Sequence, residues 1–306
     1  MENKQPLLSI CIPTYKIAHC LQTSLERFKR AITPDMDIEL IVSDNCSPDE
    51  TPEVVRAAMD DGLKCSYIRN EKKLGADGNF LQCFNRANGK YIWLCGDDDY
   101  LIPEKFKPLY DMLDTGDYGL VELSQDETKF NLQPKVFSDS GDFLSEIHVW
   151  ITFVSGNIIR KEVVDKIDSS RYTNTHLLQV PYFLTSATIG LPNLMYYPQV
   201  LECGADSGNN GGYNLFEVFC ENLLTIIHEK VEEKKLSKRK FDKIRKSIYC
   251  NWMITYVLMF YVNQDKGKFK TKGTAEILMR WYKYQPYFYY YTAYRVLRRY
   301  IKLVIN

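Results

Sequence analysis

Hydrophobic and polar positions alternate in blocks over the first third of the chain, and these blocks predict alternating strands and helices. Short apolar runs that end in polar or turn-forming residues predict buried strands at residues 7–13, 38–45, 65–70 and 90–95. Apolar residues at helical spacing predict the intervening helices at residues 19–32, 47–62 and 79–89. Single helices between successive strands indicate an α/β fold with a mostly parallel sheet and helices on both faces.

The remainder of the chain divides into a mixed stretch followed by a helical one. The pattern predicts a helix after Pro103 and another strand at residues 118–124. From Leu215 onward helical spacing dominates. We therefore expect an α/β domain over residues 1–215, in two halves that meet near residue 110, and a helical region over residues 216–306.

Three segments of this second part have distinctive compositions. Glycine and asparagine in residues 201–214 indicate a loop, which is either a mobile lid or a plain surface turn. Residues 230–246 are rich in charges and predict one solvated helix. Residues 252–262 are apolar but too short to span a bilayer, so we expect a buried helix there.

Polar side chains follow all four predicted strands of the first third. They are Thr14, Tyr15, Asp44, Asn45, Asn70, Asp97, Asp98 and Asp99. Because the carboxyl ends of parallel strands meet at one edge of a sheet, we expect these side chains to line a single ligand-binding crevice.

The sequence YIWLCGDDDY, residues 91–100, delivers three aspartates directly to this edge. Adjacent carboxylates repel one another unless a cation lies between them. A divalent metal with oxygen ligands, Mn²⁺ or Mg²⁺, would supply that charge and usually shares its shell with substrate phosphates. The chain contains neither GxxxxGK[ST] nor a GxGxxG after the first strand, so we expect a metal to bridge the aspartates to a diphosphate.

Overall charge and cysteine usage exclude several other classes. The formal net charge is +0, which argues against a nucleic-acid partner. The nine cysteines form no CxxC pair, so a zinc site of the usual spacing is not expected. Reduced thiols and the absence of a signal-peptide pattern near Met1 predict a cytoplasmic protein.

Four motifs in order resemble the nucleotide-binding half of a GT-A glycosyltransferase of family 2, a Rossmann-like fold. They are LLSICIPTYK, ELIVSDNCSPDET, IRNEKKLGADGNF and GKYIWLCGDDDYLIPEKF, within residues 6–110. The short GADGNF form and the GDDD ending are most similar to the branch that contains abequosyltransferase-like O-antigen enzymes. The resemblance implies that residues 1–110 bind a nucleotide-sugar and that residues 111–215 bind the acceptor.

The resemblance also implies roles for residues after the first two strands. Pro13, Thr14 and Tyr15 would wall the base and ribose of the nucleotide-sugar. Asp44 matches the acid that hydrogen-bonds the base, and Asn45 follows it in the same nucleotide-binding set.

Further roles are implied after the third and fourth strands. Asn70, Gly75 and Asn79 would line the turn near the sugar nucleotide, with Asp77 as a further candidate. Arg69 would either face the nucleotide or pair with an acid. Asp97 or Asp98 would point towards the ribose and Asp99 would bind the metal, with Asp97 as a second metal ligand if the register shifts.

The catalytic base expected of an inverting member is missing from its usual place. This base is an Asp at the start of a helix in the second half, where it takes the proton of the acceptor hydroxyl. Here the sequence THLLQVPYFLTS presents Gln179 and Val180 instead. His176 and Asp206 are the nearest substitutes and Asp168 a weaker one, although each also has a purely structural explanation.

The resemblance implies metal-dependent transfer of one sugar to a hydroxyl of a glycan. The basic, aromatic end of the chain, described below, leads us to expect a lipid-linked acceptor that is met at the cytoplasmic face of the membrane. Processive synthases carry QxxRW, which is absent here. A nucleotidyltransferase and a catalytically silent sugar-nucleotide-binding scaffold are the alternatives.

The end of the chain combines tyrosines and Trp281 with basic residues and almost no acids. The basic residues are Arg280, Lys283, Arg295, Arg298, Arg299 and Lys302. This composition is typical of an interfacial membrane anchor, although a packed helical subdomain with a basic rim, or an oligomer contact, would also explain it.

Overall fold

The computed structural model describes residues 5–203, 212–265 and 267–305. The candidate base Asp206 and most of the predicted loop at 201–214 therefore lie outside the described residues. The chain divides into two compact units. The first comprises Met1–Ser140, Trp150–Asn174 and Leu178–Gly208, and the second comprises Gly141–Val149, Thr175–Leu177 and Asn209–Asn306. The two halves expected within residues 1–215 stay a prediction.

The first unit contains all the strands of the described chain. They are β1 (Leu8–Thr14), β2 (Ile38–Asp44), β3 (Ser66–Arg69), β4 (Tyr91–Leu94), β5 (Asp99–Leu101), β6 (Leu120–Leu123), β7 (Lys135–Phe137), β8 (Asn157–Arg160), β9 (Asn193–Tyr196) and β10 (Leu201–Cys203). Its helices are α1 (Ala18–Ala31), α2 (Thr51–Asp60), α3 (Gly75–Arg86), α4 (Pro103–Thr115) and α6 (Val180–Ala187). Short 3₁₀ turns occur at Glu127–Lys129, Val154–Gly156, Lys161–Lys166 and Ser169–Tyr172.

Eight of these strands form one sheet in the order β3-β2-β1-β4-β8-β6-β9-β7. β1 pairs in parallel with β2, from Leu8 opposite Ile38 to Thr14 opposite Asp44, and also with β4. β3 pairs in parallel with β2. The antiparallel β8 then joins β4 to β6 and so attaches the second half of the sheet to the first. The expected mostly parallel α/β fold is confirmed, and the carboxyl ends of β1 to β4 share one edge.

Side chains of β1 alternate between two apolar layers, because successive residues of a strand point to opposite faces. Leu8, Ile10 and Ile12 are fully buried in the same core cluster as the inner face of α1. On the other face, the Cys11 thiol lies 3.7 Å from the carbonyl oxygen of Cys83 in α3. Helices therefore cover both faces, and this explains why the strands read as continuous apolar runs.

A second, two-stranded sheet lies beside the carboxyl edge of β4. Its strands, β5 and β10, pair antiparallel with Asp99 opposite Cys203 and Leu101 opposite Leu201. Neither strand was predicted, because three residues are too few to show the alternation typical of a strand. The pairing attaches residues 201–203 directly to the last aspartate of the DDD run.

The second unit is helical. It contains most of α5 (Ser140–Ile147), α7 (Leu223–Glu232), α8 (Lys238–Ile248), α9 (Ile254–Val257), α10 (Thr274–Tyr282) and α11 (Pro286–Ile305). π-helical segments at Glu217–Asn222, Tyr249–Met253 and Leu258–Val262 extend α7, α8 and α9. Residues 252–262 are thus helical as predicted, with Met253, Ile254 and Leu258 buried. No described helix has the length and apolar character needed to cross a membrane.

The prediction of one solvated helix over residues 230–246 is wrong. α7 ends at Glu232, Lys234 takes a left-handed conformation with φ 59°, and the Ser237 side chain caps a new helix, α8. Two charged side chains are buried because each has a local partner. Lys230 pairs with Glu233 at 2.9 Å, and Arg245 pairs with Asp242 at 2.7 Å.

A buried hydroxyl at the amino-terminal edge of the sheet provides a test of the fold. Ser9 Oγ accepts hydrogen bonds from the backbone N–H groups of Gly89 and Asn88, at 2.7 and 3.1 Å, and donates to Glu39 at 2.6 Å. Ser9→Ala leaves the buried Gly89 N–H without its partner, so we expect the free energy of unfolding to fall by about 1–3 kcal/mol. Urea unfolding measures the change.

Thr23→Ala is the matched control for this substitution. Thr23 is partly exposed, and its hydroxyl donates to the carbonyl oxygen of His19, at 3.4 Å in the same helix. We expect a change within about 0.5 kcal/mol for this control. Equal effects of the two substitutions would contradict the role assigned to Ser9.

Candidate functional site

Asp44 ends β2 at the carboxyl edge and is fully buried. The Ser47 backbone N–H donates to its Oδ1 at 2.8 Å, and the Tyr67 hydroxyl donates to its Oδ2 at 2.7 Å. Arg69 Nε lies 3.2 Å from the same Oδ2. Burial and the bond to Asp44 raise the pKa of Tyr67, so its hydroxyl remains a donor. Three donors from the protein therefore contact the Asp44 carboxyl group.

Of the two alternatives for Arg69, the structure forms the pairing with an acid. Besides its contact with Asp44, the guanidinium donates to the Ser47 carbonyl oxygen at 2.9 Å. Its side chain is still 45% exposed, so part of the guanidinium faces solvent at the crevice. Direct contact of Arg69 with a nucleotide stays a prediction.

The three predicted asparagines use their amide groups to hold the backbone of the site. Asn45 accepts from the Leu74 N–H at 2.7 Å and donates to the Gly75 carbonyl oxygen at 3.1 Å. Asn79 accepts from the Ser43 hydroxyl at 2.7 Å and from Asn70 at 3.2 Å. All three are buried, and they join β2 to the loop that begins α3.

Gly75 begins α3 with φ 79°, a left-handed conformation that side chains disfavour. It lies where the Asn45 amide holds the loop, so the loop enters the helix by a sharp turn beside the crevice. Asp77 lies in the first turn of α3, where a negative charge interacts favourably with the helix dipole. A structural role thus accompanies any contact of these two residues with a ligand.

Pro13, Thr14 and Tyr15 leave β1 at the same edge. Pro13 and Thr14 are buried within the strand, opposite Ser43 and Asp44 of β2. Tyr15 is partly exposed, and the Lys73 ammonium lies 4.0 Å from the centre of its ring. This contact brings a basic group of the β3–α3 loop to the face of the crevice's aromatic residue.

Asp97 follows β4 and is nearly as buried as Asp44, but it lacks comparable partners. Its Oδ2 atom and the Thr14 hydroxyl are both buried and form no hydrogen bond of good geometry among the described residues. The Thr14 hydroxyl and the Tyr15 backbone lie near the carboxyl group and partly offset the rise of its pKa. Burial, reinforced by the charge of Asp98, raises the pKa of Asp97 to about 7. An unpartnered buried carboxyl oxygen at a strand end indicates a missing donor or cation.

Asp98 and Asp99 gather around Gly96. A side-chain carbon at Gly96 would lie 2.9 Å from Asp99 Oδ2 and 3.0 Å from Asp98 Oδ1, so only glycine leaves room for both carboxylates. The Ser155 hydroxyl donates to Asp99 Oδ2 at 2.5 Å and accepts from the Gly96 N–H at 2.7 Å. Burial and the charge of Asp98 raise the pKa of Asp99.

The residues present fit a divalent cation that completes its shell with ligand oxygens. No group of three or more His, Cys, Asp or Glu side chains in the described ranges is arranged to hold a metal alone. Mg²⁺ and Mn²⁺ commonly use one or two carboxylates together with phosphate oxygens and water. The unpartnered Asp97 Oδ2, beside two further carboxylates, suits that partial shell.

Gln179 and the described base candidates each have contacts that define their local role. Gln179 precedes α6, is buried, and donates to the Thr152 carbonyl oxygen at 2.9 Å, which is a structural role. Asp168 is exposed and caps a 3₁₀ turn by accepting from Ser170 at 3.1 and 2.7 Å. His176 is exposed and belongs to the second unit, where its ring lies 5.7 Å from that of Tyr213.

Several site residues were not predicted from the sequence. Ser155, Tyr67 and Ser47 hold Asp99 and Asp44, and Lys73 faces Tyr15. Tyr67 was detectable, because it lies two residues before Arg69 and so on the same face of β3. Ser155 lies far along the chain in an unremarkable VSGN stretch and gives no such signal.

A sheet of this order, with acids at the carboxyl ends of its parallel strands, defines a class of α/β proteins that bind ligands in the crevice outside that edge. Within that class, the chain belongs to glycosyl transferase family 2, whose family model matches residues 9–168, just over half of the chain. The family expected from the four sequence motifs is confirmed.

Curated relatives match about a third of the chain. Abequosyltransferase RfbV of Salmonella typhimurium is 36% identical over 110 residues, which cover 36% of this chain and 33% of the relative. A GalNAc(5)-diNAcBac-PP-undecaprenol beta-1,3-glucosyltransferase of Campylobacter jejuni is 33% identical over 100 residues, covering 32% of this chain and 31% of the relative. The matched segment thus spans about a third of the length of these relatives.

Solved structures match over most of the chain. S. aureus TarS, solved in complex with UDP, has a TM-score of 0.68 at 15% identity and covers 91% of this chain and 81% of that one. The mannosyltransferase PcManGT of Pyrobaculum calidifontis, in complex with GDP-Man and Mn²⁺, has a TM-score of 0.56 at 14% identity, covering 96% and 86%. These likenesses confirm the predicted GT-A fold.

The raised pKa of Asp97 predicts a specific pH dependence of stability. The folded protein holds this proton up to about pH 7, whereas the unfolded chain loses it near the ordinary value of 3.8. The native state therefore binds more protons in this window, so the contribution of Asp97 to stability falls as pH rises. Asp97→Asn should remove this loss. The free energy of unfolding of the variant, relative to that of wild type, should therefore rise by roughly 2–3 kcal/mol between about pH 5 and about pH 8.

Urea unfolding of the metal-free and nucleotide-free proteins across this range measures the difference. Asp114→Asn is the matched control, because Asp114 is exposed on α4. Its difference from wild type should not change with pH. A pH-independent difference for Asp97→Asn would contradict the buried, unpartnered carboxyl.

Proposed function

We propose that this protein transfers a single sugar from a nucleotide-diphosphate-sugar to a hydroxyl of a glycan. The observation that carries the proposal is the buried, unpartnered Asp97 carboxyl oxygen, beside Asp98 and Asp99, at the carboxyl edge of a family 2 sheet. This arrangement accumulates negative charge where a family member would receive a ligand that is itself an anion. A donor that arrives with a divalent cation balances the negative charge of the aspartates and of the diphosphate together.

In this proposal the ends of β1 to β3 bind the nucleoside. Tyr15 presents a partly exposed ring, against which a base can stack, with Lys73 beside it. Asp44 is held rigidly by Ser47, Tyr67 and Arg69, so the strand end keeps a fixed shape. Asn45, Asn70 and Asn79 fix the neighbouring loop, with Gly75 at its turn. These residues orient the donor rather than react with it.

The ends of β4 and β5 would hold the cation. Asp97 and Asp99 are the proposed ligands, with Asp98 directed to the ribose. When bound, Mn²⁺ or Mg²⁺ would stabilise the charge that grows on the nucleoside diphosphate as it leaves. Ser155 would keep the Asp99 carboxylate oriented, and Gly96 would leave the space that both neighbouring carboxylates need.

The acceptor hydroxyl must lose a proton as its oxygen attacks the sugar. Gln179 cannot accept this proton, because a carboxamide is not a base at neutral pH. His176 and Asp206 remain the proposed bases, and the stereochemical outcome depends on which of them acts. The loss of the usual acid also favours one second candidate, a sugar-nucleotide-binding scaffold without catalytic activity.

We further propose that the acceptor is lipid-linked and that the protein meets it at the cytoplasmic face of the membrane. The name of the Campylobacter jejuni relative specifies an undecaprenol-linked acceptor for that protein. In this chain, α11 exposes a line of apolar side chains, Tyr290, Tyr294, Leu297 and Ile301, which we call the outer stripe. Their spacing of three or four residues places them on one face of the helix.

Donor turnover tests the transferase. Released nucleotide should require Mn²⁺ or Mg²⁺ and disappear with EDTA. Asp99→Asn should reduce kcat by on the order of 100-fold or more, because a metal ligand contributes several kcal/mol of charge stabilisation. A panel of nucleotide-sugars with a soluble glycan acceptor identifies the donor, and thermal shift shows which donor stabilises the fold.

Asp114→Asn, exposed on α4, should leave turnover unchanged. Wild-type rates in Asp99→Asn would refute the metal assignment. Binding of a donor without turnover under any metal would refute the transferase and favour the scaffold.

Vesicle flotation tests the membrane contact. Tyr290→Ser combined with Leu297→Ser removes much of the outer stripe, and we expect the partition coefficient for vesicles to fall about tenfold or more. Tyr284→Ser is the matched control, since Tyr284 is 81% exposed but precedes α11. Equal binding by all three proteins would exclude the stripe as a membrane contact.

A further inference from the structure

Three arginines of α11 converge on one concavity of about 260 Å³ in the second unit. Arg295, Arg298 and Arg299 line it together with Leu258 of the preceding π-helical segment. No acid among the described residues lines the concavity, and the sequence contains no Asp or Glu after Glu276. Three arginines therefore border one concavity, and no described carboxylate in its lining offsets their charge.

Two other arginines of this unit are paired with acids. Arg245 lies 2.7 Å from Asp242, and Arg280 lies 2.6 Å from Glu221. Within the described parts of the chain, Arg295, Arg298 and Arg299 form no ion pair, and Arg295 donates to the Tyr291 hydroxyl at 3.2 Å. Arg295 is partly exposed, and Arg298 and Arg299 are exposed, so their guanidinium groups are available to a ligand from solvent.

Like charges at spacings of three and four residues on a helix destabilise it, so the arrangement has a cost. An oxyanion removes that cost, because guanidinium groups bind phosphate oxygens through two parallel N–H donors. The aliphatic Leu258 wall excludes part of the water and strengthens such contacts. The concavity suits a singly or doubly charged phosphate rather than a large polyanion, since its volume is small.

The outer stripe of α11 indicates where the phosphate comes from. The stripe residues Tyr290 to Ile301 are about half exposed, between 48% and 61%. An interfacial helix lies in the membrane plane with its apolar face towards the acyl chains and its basic residues at the level of the lipid phosphates. α11 carries both features on different faces of the same two or three turns.

We propose that Arg295, Arg298 and Arg299 form a binding site for the phosphate of an anionic phospholipid. The site rests on the membrane contact proposed above, and deepens it by naming the headgroup chemistry. It does not depend on the transferase reaction. The outer stripe provides affinity for the bilayer surface, and the arginine site selects bilayers that carry negative charge.

Sedimentation with vesicles tests this site. Vesicles of phosphatidylcholine alone are compared with vesicles that also contain phosphatidylglycerol. We expect Arg298→Gln with Arg299→Gln to weaken binding to the anionic vesicles more than tenfold, since each basic residue near such a surface contributes about a fivefold factor. Binding to phosphatidylcholine alone should stay as in wild type.

Arg239→Gln with Lys235→Gln is the matched control, because both side chains are exposed in the second unit and the charge change is the same. It should bind anionic vesicles within about twofold of wild type. Equal loss in the control and the arginine variant would overturn the proposal, as it would show only a net-charge effect. Thermal unfolding verifies that both variants are folded.

Arg298→Lys with Arg299→Lys separates a phosphate site from general attraction. Lysine keeps the charge but loses the two-donor fork, so we expect a severalfold loss of binding. Wild-type binding by this variant would overturn the phosphate site while leaving the membrane contact intact. If the wild-type protein bound neither kind of vesicle, both the membrane contact and the phosphate site would be refuted.

Inorganic pyrophosphate and inorganic phosphate are added as soluble competitors to exclude a free-anion site. We expect displacement only at millimolar concentrations, as for screening by salt. Displacement at micromolar concentrations would overturn the lipid assignment. Nucleotide release with a soluble acceptor, measured on the same variants, should be unchanged and reports separately on the transferase.

Discussion

A buried carboxylate is stable only when donors or cations replace the water that it loses, and this requirement shapes the carboxyl edge of the sheet. Asp44 at the end of β2 and Asp97 after β4 meet this requirement in opposite ways. Asp44 receives a backbone N–H, a phenol and a guanidinium. Asp97 is nearly as buried but keeps an oxygen without a hydrogen bond of good geometry. The protein thus supplies partners for Asp44, and we propose that a ligand supplies the partner of Asp97.

Contacts of the surrounding residues maintain this difference between Asp44 and Asp97. Asn45, Asn70 and Asn79 use their amides to hold the loop between β3 and α3, and Arg69 at the end of β3 contacts Asp44. At β5, Ser155 donates to Asp99 and accepts from the Gly96 N–H, which orients the Asp99 carboxylate. These contacts preorganise the carboxyl groups that we propose as cation ligands.

The sequence predicted the parts of this arrangement that depend on local pattern. Continuous apolar runs located β1 to β4, and the parallel order then placed Thr14, Asp44, Asn70 and Asp97 at one edge. It could not reveal β5, β10 or Ser155, because three-residue strands have no periodicity and Ser155 lies 56 residues from its partner Asp99. The break between α7 and α8 was also missed. The many charges of residues 230–246 suggested exposure throughout, whereas Lys230 and Arg245 are buried because each pairs with a nearby acid.

The small sheet of β5 and β10 has a consequence for the modularity of the fold. Asp99 belongs by sequence to the half that we propose to bind the donor, but its backbone partner is Cys203 and its side-chain partner is Ser155, both from later in the chain. A chimera that joins residues 1–110 of this chain to the second half of another family member would therefore inherit the aspartates without the residues that aim them. Exchange of donor specificity between relatives should succeed only when these distant supports travel with the aspartate run.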